Sequence, residues 1–298
     1  MIRLTPSEEA RNEHTEAVIK RIQQSYDEKR ILDDIKKLGI NSIKDFLEAD
    51  VSTMRKWTEQ CSNKLKFTVF KEIYNRYFSN GSNKYVDEES QYNAYKFLEN
   101  LQITVCPYCE DEYLDAVDIN DKKRRTSEID HFFAKSTYPA LAMCFYNLVP
   151  SGQNCNGLKL DRGCGMNPYE KDIEEMTWLF PDIPIGISME KIMPSECKVL
   201  FHPQGGMVDN VRELGLEQRY EKHAPEVYRL LKNAQNYTRE KIQELVKMGF
   251  GTREEIISSN FGPQDLEEKK KPVPEKEKTV QHTNPQKKKR KKKQKGRG

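Results

Sequence analysis

Residues 106 to 159 concentrate metal-binding and proton-accepting side chains in one short part of the chain. The stretch begins with C-P-Y-C, continues through E-I-D-H-F-F-A-K-S-T-Y-P, and ends with Y-N-L-V-P and N-C-N-G-L-K. These groups fall within about fifty residues, the length of one supersecondary unit with its loops. Packing alone does not require such a density of ligand chemistry, so we expect the functional site to lie here.

An adjacent acid and histidine stand at the centre of this stretch. Asp130 and His131 are sequence neighbours, and neighbours on a strand point to opposite sides. One can therefore bind a metal while the other takes a proton from water. Asp130 and the later Asn156 both offer hard oxygen ligands, which suit Mg²⁺ or Mn²⁺ better than zinc.

The order Asp-His, Asn, then Asn after a cysteine resembles the HNH (ββα-metal) endonucleases, in the subgroup with Asn in the last position. The flanking segments C-P-Y-C, D-H-F, K-S-T-Y-P, Y-N-L-V-P-S and C-N-G-L-K are similar to those of bacterial HNH proteins found in anti-phage and mobile-element contexts. The resemblance covers residues 104 to 169 well and the rest of the chain only loosely.

This resemblance implies a role for each matching residue. His131 would be the general base that activates water for attack on a phosphodiester, and Asp130 and Asn156 would bind one catalytic Mg²⁺ or Mn²⁺. Asn147 would brace the loop that aims His131. A divalent ion would stabilise the charge that builds on the scissile phosphate and the leaving oxygen.

Two lysines of the stretch are candidates for binding nucleic acid. Lys135 and Lys159 could hold the phosphates on either side of the scissile bond, although lysines near such a site are often only solvated.

The cysteines predict a second, structural metal site. Cys106 and Cys109 form a CxxC pair, and a second pair near residues 152 to 155 would complete a tetrahedral zinc site. Residue 152 is glycine, so only Cys155 of that pair is present, and Cys164 in D-R-G-C-G is the nearest spare thiol. The alternative is a lost zinc, with the cysteines as small buried apolar residues. Zinc is favoured because a small motif with few buried apolar residues usually needs a structural metal or a disulfide for stability.

The remaining sequence favours helices on both sides of the motif. Apolar residues recur at helical spacing through residues 7 to 100, whereas prolines across residues 177 to 212 favour short strands and loops. We therefore expect an α+β protein, mainly helical, with a central ββα-metal motif and a disordered basic C-terminal tail. The expected parts are a helical region (1–103), the HNH motif (104–170), a mixed and then helical region (171–262) and the tail (263–298).

Capping residues and spacing predict individual helices, and one segment predicts a hairpin. In D-I-N-D-K-K-R-R, the cations of residues 122 to 125 are expected in the turn of a hairpin whose return strand ends at Ile129, where they either touch DNA or are simply solvated. Two predicted helices begin at Ser7 and at Ser42 with Asp45. A last short helix is expected after a Thr252/Glu255 capping box. The other predicted helices span Glu28–Leu38, Lys64–Phe78, Tyr92–Leu101, Glu217–Asn233 with a bend near Pro225, and Thr238–Met248.

The charge of the chain is concentrated at its C-terminal end. The whole sequence has a net charge of +3, and residues 287 to 297 hold seven lysines and two arginines without an acid, so residues 1 to 286 sum to 3 − 9 = −6. Such a tail suits non-specific binding to phosphate backbones. An import-like signal or a solubility tail are the alternatives.

Composition also predicts the compartment. No apolar run approaches the roughly 18 residues needed to span a membrane, and the N-terminal segment lacks the apolar core of a secretion signal. Seven cysteines, clustered around one motif, indicate metal ligands and free thiols in a reducing compartment. A cytoplasmic location without a membrane partner is expected.

Two functional classes follow from these features. The first is a metal-dependent endonuclease that acts on nucleic acid, DNA rather than RNA. Many relatives work beside a partner ATPase, and no G-x-x-x-x-G-K-[ST] motor motif occurs in this chain. The second class is a zinc-stabilised nucleic-acid-binding or adaptor module without cleavage. Asp130, His131 and Asn156 are all present, which favours the enzyme. A CxxC redox protein is disfavoured because no βαβ pattern precedes Cys106.

Overall fold

A computed structural model describes residues 1–79, 92–119, 122–163, 165–183, 186 and 188–262. Three sequence predictions fall outside these residues: Cys164 as a metal ligand, the basic tail, and the turn-forming segment N-G-S-N (residues 80–83), which is expected to end the predicted helix over Lys64–Phe78.

Helices make up most of the described N-terminal part, and side-chain caps set where several of them begin. Ser7 accepts a hydrogen bond from the backbone N–H of Ala10 at 3.1 Å, and Ser42 accepts one from Asp45 at 3.0 Å, so both predicted starts are confirmed. The helices are α1 (Glu8–Ser25), α2 (Glu28–Lys36), α3 (Ile43–Leu47), α4 (Val51–Gln60), α5 (Val69–Ile73) and α6 (Ala94–Leu101).

The predicted helix over Lys64–Phe78 is broken in the structure. A 3₁₀ turn (Ser62–Leu65) precedes α5, and α5 continues as a π-helical turn (Tyr74–Phe78). Leu65 and Phe70 are both fully buried, yet in one continuous helix residues five apart point about 140° away from each other. The break lets both side chains enter the core.

Three separate antiparallel pairs of strands follow in the described chain. They are β1 (Ala116–Ile119) with β2 (Lys122–Arg125), β3 (Glu128–His131) with β4 (Leu148–Ser151), and β5 (Thr177–Asp182) with β6 (Lys198–Pro203).

The predicted hairpin was misplaced by a few residues. Residues 122 to 125 form strand β2 itself and not the turn, and the chain that ends at His131 pairs with β4. Arg125 donates a hydrogen bond to the carbonyl of Ser79 at 3.2 Å and lies 5.6 Å from the ring of Tyr95. The guanidinium group of Arg125 is therefore held by contacts within the protein, and pairing with β1 keeps the segment extended.

The regular elements described after β4 are helices and short helical turns, apart from the β5–β6 pair. The predicted helix over Glu217–Asn233 is divided by a 3₁₀ turn (Glu221–His223), because Pro225 has no N–H to donate and favours the first turn of a new helix. Both halves of the Thr252/Glu255 capping box are present. The helices are α7 (Gln153–Lys159), α8 (Met207–Glu213), α9 (Leu216–Tyr220), α10 (Ala224–Asn236), α11 (Arg239–Lys247) and α12 (Arg253–Phe261).

One apolar core joins the N-terminal helices to the strand pair β3–β4. Phe46 stacks between Trp57 and Phe70 with ring centroids 5.4 and 5.3 Å away, and the 3₁₀ turn Pro139–Met143 is buried against the same helices. The core is continuous across the predicted boundary at residue 103. The division into four parts stays a prediction. No described helix combines the length and the apolar character needed to cross a bilayer.

A buried histidine links α1 to the loop before β4. His14 donates from Nε2 to the carbonyl of Met143 at 2.8 Å, so in the neutral ring Nδ1 accepts from the hydroxyl of Tyr92 at 3.1 Å. Its side chain is fully buried, and this burial lowers the pKa of His14 to about 4. The neutral ring has a partner for each nitrogen, whereas an imidazolium would be buried without a counter-ion among the described residues.

The burial of His14 predicts a loss of stability in mild acid. The unfolded chain binds a proton at His14 near pH 6.5, whereas the folded chain does so only near pH 4. The free energy of unfolding should therefore decrease as the pH is lowered from the first of these values to the second, and this residue should contribute about 3 kcal/mol to the decrease. Denaturant unfolding of the wild type and of His14→Gln across this range measures the effect. An equal pH dependence of the free energy of unfolding in the two proteins would contradict the prediction. The pH dependence that remains in the variant includes the contribution of His131.

Candidate functional site

Three buried cysteines meet at one point. Cys106 and Cys109 lie on the turn after α6, Cys155 lies on α7, and their Sγ atoms are all within 4.8 Å of one another. A tetrahedral zinc with Zn–S bonds of about 2.3 Å places its sulfur ligands about 3.8 Å apart. The spacing, burial and donor type therefore fit a metal such as zinc.

Backbone hydrogen bonds shape the turn that carries the first two cysteines. The N–H of Glu110 donates to the carbonyl of Cys106, and the N–H of Cys106 donates to the carbonyl of Glu112, both at 2.8 Å. Glu110 adopts a positive φ of 58°. This tight turn places the thiol of Cys109 next to that of Cys106.

The protein alone stabilises one thiolate in this cluster. Hydrogen bonds from Cys106 and from Cys155 lower the pKa of Cys109, and the bond to Cys109 raises the pKa of Cys106. The pKa of Cys155 is raised for the same reason. A divalent metal would supply the positive charge that three thiolates need.

The other described cysteines lie elsewhere. Cys61, Cys144 and Cys197 do not join this group. Cys164, the sequence-predicted fourth ligand, lies outside the described residues, so the structure gives it no position.

Asp130 is buried between a tyrosine and a lysine. Its Oδ2 accepts a hydrogen bond from the hydroxyl of Tyr108 at 2.7 Å, and its Oδ1 accepts one from Nζ of Lys159 at 3.1 Å. Only 2% of Asp130 is exposed. Burial raises the pKa of Asp130, and Lys159 and Tyr108 oppose that rise.

Tyr108 is a site residue that the sequence analysis did not identify. It stands between the two cysteines of C-P-Y-C and is fully buried, with its hydroxyl on Asp130. Its position inside the CxxC turn was the sequence feature that could have identified it as part of the site. Its hydroxyl connects the cysteine turn to the acid of β3.

His131 points away from Asp130, as the strand geometry predicts. Its Nε2 lies 3.1 Å from the carbonyl oxygen of Ala142, and the edge of its ring meets Tyr74 with centroids 4.4 Å apart. A carbonyl only accepts, so Nε2 carries the proton and Nδ1 keeps a lone pair in the neutral ring. Burial, and next the charge of Lys135, lower the pKa of His131 to about 3.

Asn147 closes the loop between β3 and β4. Its Oδ1 accepts from the N–H of Phe133 at 2.7 Å, and its Nδ2 donates to the carbonyls of Phe133 and Leu141 at 3.1 and 2.9 Å. The loop fixed in this way also carries Ala142, the partner of His131. These contacts are those that a bracing residue requires.

Asn156 and Lys159 share one face of α7. Asn156 is half-buried, and its side chain makes no hydrogen bond to any described residue. Three residues later, Lys159 is fully buried and donates to Asp130 and to the carbonyl of His131, the latter at 3.0 Å. A phosphate contact by Lys159 would require its ammonium group to leave both partners.

Lys135 lies at the edge of the same site. Its Nζ stands 4.1 Å from the centroid of the Tyr74 ring, and burial lowers its pKa, as does the charge of Lys71. A phosphate contact by Lys135 stays a prediction.

The buried pair of Asp130 and Lys159 predicts a large loss of stability when one partner is removed. Lys159→Met should lower the free energy of unfolding by about 3–5 kcal/mol, because it leaves a buried carboxylate without its cation. Lys135→Met, at the edge of the site, is the matched control, and Asp130→Asn in the same chain should restore part of the loss. Denaturant unfolding measures all four proteins. A cost below about 1 kcal/mol, as for an exposed lysine, would show that the pair does not hold the fold.

Comparisons with known proteins give one short similarity. No family model and no solved structure matches this chain. A stretch of 54 residues is 39% identical to the Septu protein PtuB of Bacillus thuringiensis. The match covers 18% of this chain and 18% of PtuB, so the chain is similar to that protein over a small part of either length.

Proposed function

We propose that this protein is a metal-dependent endonuclease of the HNH type that hydrolyses phosphodiester bonds in DNA. The observation that carries the proposal is the arrangement of β3. Asp130 and His131 project to opposite sides of one strand, the acid towards α7 and the imidazole towards the loop that Asn147 holds. A metal ligand and a base need this separation, because a cation beside the imidazole would oppose its protonation.

Asp130 and Asn156 are the residues that would hold the catalytic Mg²⁺ or Mn²⁺. Residues three apart on a helix lie on one face, so Asn156 is on the side of α7 from which Lys159 reaches Asp130. Each oxygen of Asp130 accepts one hydrogen bond and keeps a further lone pair, and the amide oxygen of Asn156 is unengaged among the described residues. The donors fit a hard cation, which when bound would stabilise charge on the phosphate.

The residues of this chain supply the rest of the chemistry. His131 takes a proton from water at Nδ1, because Ala142 fixes the tautomer by accepting from Nε2. Asn147 holds the loop that carries Ala142. Lys159 is a positioning residue in this proposal: it keeps Asp130 ionised and directed towards α7.

The biological context is proposed on two supports. The resemblance set out above is to HNH proteins of anti-phage defence and mobile elements, and the similarity to the Septu protein PtuB agrees with a defence role. DNA is the proposed substrate, a partner ATPase is the proposed companion, and the nine cations of residues 287 to 297 would add non-specific affinity for phosphate.

One observation favours the alternative of a zinc-stabilised nucleic-acid-binding or adaptor module. Asp130 and His131 are only 2% and 6% exposed, and Lys159 occupies the space beside the carboxylate where a cation would bind. A module without cleavage could keep this closed arrangement, in which Asp130 and Lys159 serve only the fold.

Cleavage assays across metal concentrations test the proposal. Purified protein is incubated with supercoiled plasmid and with RNA, in Mg²⁺, in Mn²⁺ and in EDTA. Asp130→Asn and Asn156→Ala should raise the Mg²⁺ concentration for half-maximal cleavage by about 10-fold or more, or abolish cleavage. Asn154→Ala, on an exposed position of the same helix, is the matched control. Binding of DNA without cleavage in either metal would support the adaptor instead.

A further inference from the structure

We propose that Glu112 is the fourth ligand of the metal bound by Cys106, Cys109 and Cys155, in place of the cysteine that is absent at residue 152. The proposal concerns the metal content of the protein. It does not rest on the proposed endonuclease activity.

The space next to Gly152 is occupied by the side chain of Glu112. A Cβ atom added at Gly152 would lie 2.5 Å from Cδ and 2.8 Å from Cβ of Glu112, and closer still to Oε2. Both distances are shorter than real contacts allow, so any side chain at residue 152 would collide with Glu112. A second CxxC pair would place its first cysteine at this position. The side chain of Glu112 therefore fills the space that the side chain of that cysteine would enter.

Glu112 is already part of the cysteine turn. Its backbone carbonyl accepts from the N–H of Cys106 at 2.8 Å, and its Oε1 lies 3.8 Å from Sγ of Cys109. Around a tetrahedral zinc, a sulfur and a carboxylate oxygen lie about 3.5 Å apart. Glu112 is not among the donors that all lie within 4.8 Å of one another, so ligation requires a small rotation of its flexible side chain towards Cys155.

Two further contacts aim the carboxylate and balance its charge. The N–H of Asn154 donates to Oε2 at 3.2 Å, while Arg219 donates to Oε1 at 2.8 Å and to Sγ of Cys155 at 3.1 Å. Three thiolates and one carboxylate carry −4, which Zn²⁺ reduces to −2 and Arg219 to −1. Partners that bond to ligands in this way fix their orientation and tune metal affinity. Arg219 is bonded to a ligand of each type, as this role requires.

Two other arrangements compete with this one. In the first, Cys164 supplies the fourth ligand and Glu112 only pairs with Arg219. In the second, the guanidinium of Arg219 takes the place of a metal, and the cluster binds none. The three arrangements differ in metal content and in the atoms around the metal.

The test compares metal affinity and ligand type in the wild type and three variants of the full chain. Zinc affinity is measured by competition with a chromophoric chelator, and the ligand atoms are counted by X-ray absorption at the zinc edge. The wild type should hold one zinc with three sulfur ligands and one oxygen ligand. Glu112→Gln should weaken zinc affinity by at least about 10-fold, whereas Cys164→Ser should leave it unchanged. Asp115→Asn, an exposed acid three residues after Glu112, is the matched control.

Exchanging the side chains at residues 112 and 152 gives a gain of zinc binding, which a general loss of stability cannot produce. Gly152→Cys alone should collide with Glu112 and reduce zinc content. Glu112→Gly combined with Gly152→Cys removes the collision, restores the second CxxC pair and should bind zinc through four sulfur ligands. Four sulfur ligands in the wild type, lost in Cys164→Ser, would overturn the proposal. So would a wild type that binds no zinc.

Discussion

Replacement of His131 by glutamine is expected to lower the rate of Mg²⁺-dependent cleavage by about 100-fold or more. The amide of glutamine can still donate to the carbonyl of Ala142, which lies 3.1 Å from Nε2 in the wild type, but it has no basic nitrogen to take a proton from water. Single-turnover cleavage of a plasmid at saturating protein measures the chemical step. His202→Gln, on β6, is the matched control and should cleave at the wild-type rate.

The burial of His131 makes alanine a less informative replacement at this position. His131→Ala would leave a cavity against Tyr74 and an unpaired carbonyl at Ala142, so it should also lower the free energy of unfolding by about 2 kcal/mol. The glutamine variant separates chemistry from stability. If it cleaves at the wild-type rate, His131 is not the base.

Loss of the metal at the cysteine cluster is expected to have the largest effect on stability. The purified protein should carry about one zinc per chain, and Cys106→Ser should lower both the zinc content and the melting temperature. Structural zinc sites bind with roughly 10 kcal/mol or more, and that free energy contributes to folding. This exceeds the roughly 2–5 kcal/mol of a single large truncation in the core.

A second buried cysteine provides the control for that experiment. Cys144 is fully buried but donates its thiol to the carbonyl of Phe46 at 3.4 Å, away from the cluster. Cys144→Ser keeps a hydrogen-bond donor and should leave zinc content unchanged. Elemental analysis and thermal unfolding measure both variants. A zinc-free protein with wild-type stability would mean that Gly152 marks a lost metal site.

The sequence predicted local features of the fold well, because their causes are local. Ser7, Ser42 and Thr252 each cap a helix through a contact only three residues away, and Pro225 divides two helices at the position expected for a residue without an N–H. The meeting of Cys106, Cys109 and Cys155 was also anticipated, because CxxC spacing restricts where two of the thiols can lie.

The features that the sequence did not predict depend on long-range contacts. Tyr108 reaches Asp130, and Arg219 reaches Glu112 over more than a hundred positions. The periodicity of a sequence carries no signal for such pairs. The sequence offered Lys159 as a candidate phosphate ligand, which stays a prediction, and only the packing of α7 on β3 reveals that its side chain is buried. The strand pairing of Lys122–Arg125 was missed because charged residues rarely mark a strand.

The segment at the end of α9, residues 219 to 222, also affects local unfolding of the protein. Arg219 bonds to Cys155, the hydroxyl of Tyr220 donates to the carbonyl of Cys109 at 2.6 Å, and Lys222 pairs with Asp111 at 2.5 Å. The bonds of Tyr220 and Lys222 hold the cysteine turn from a part of the chain more than a hundred residues away, and the bond of Arg219 holds Cys155 on α7. We therefore expect the turn and this segment to open together, as one cooperative unit in native-state hydrogen exchange. A fragment cut to residues 104–170 would lack these bonds, and its cysteine turn should exchange faster than the same turn in the full chain.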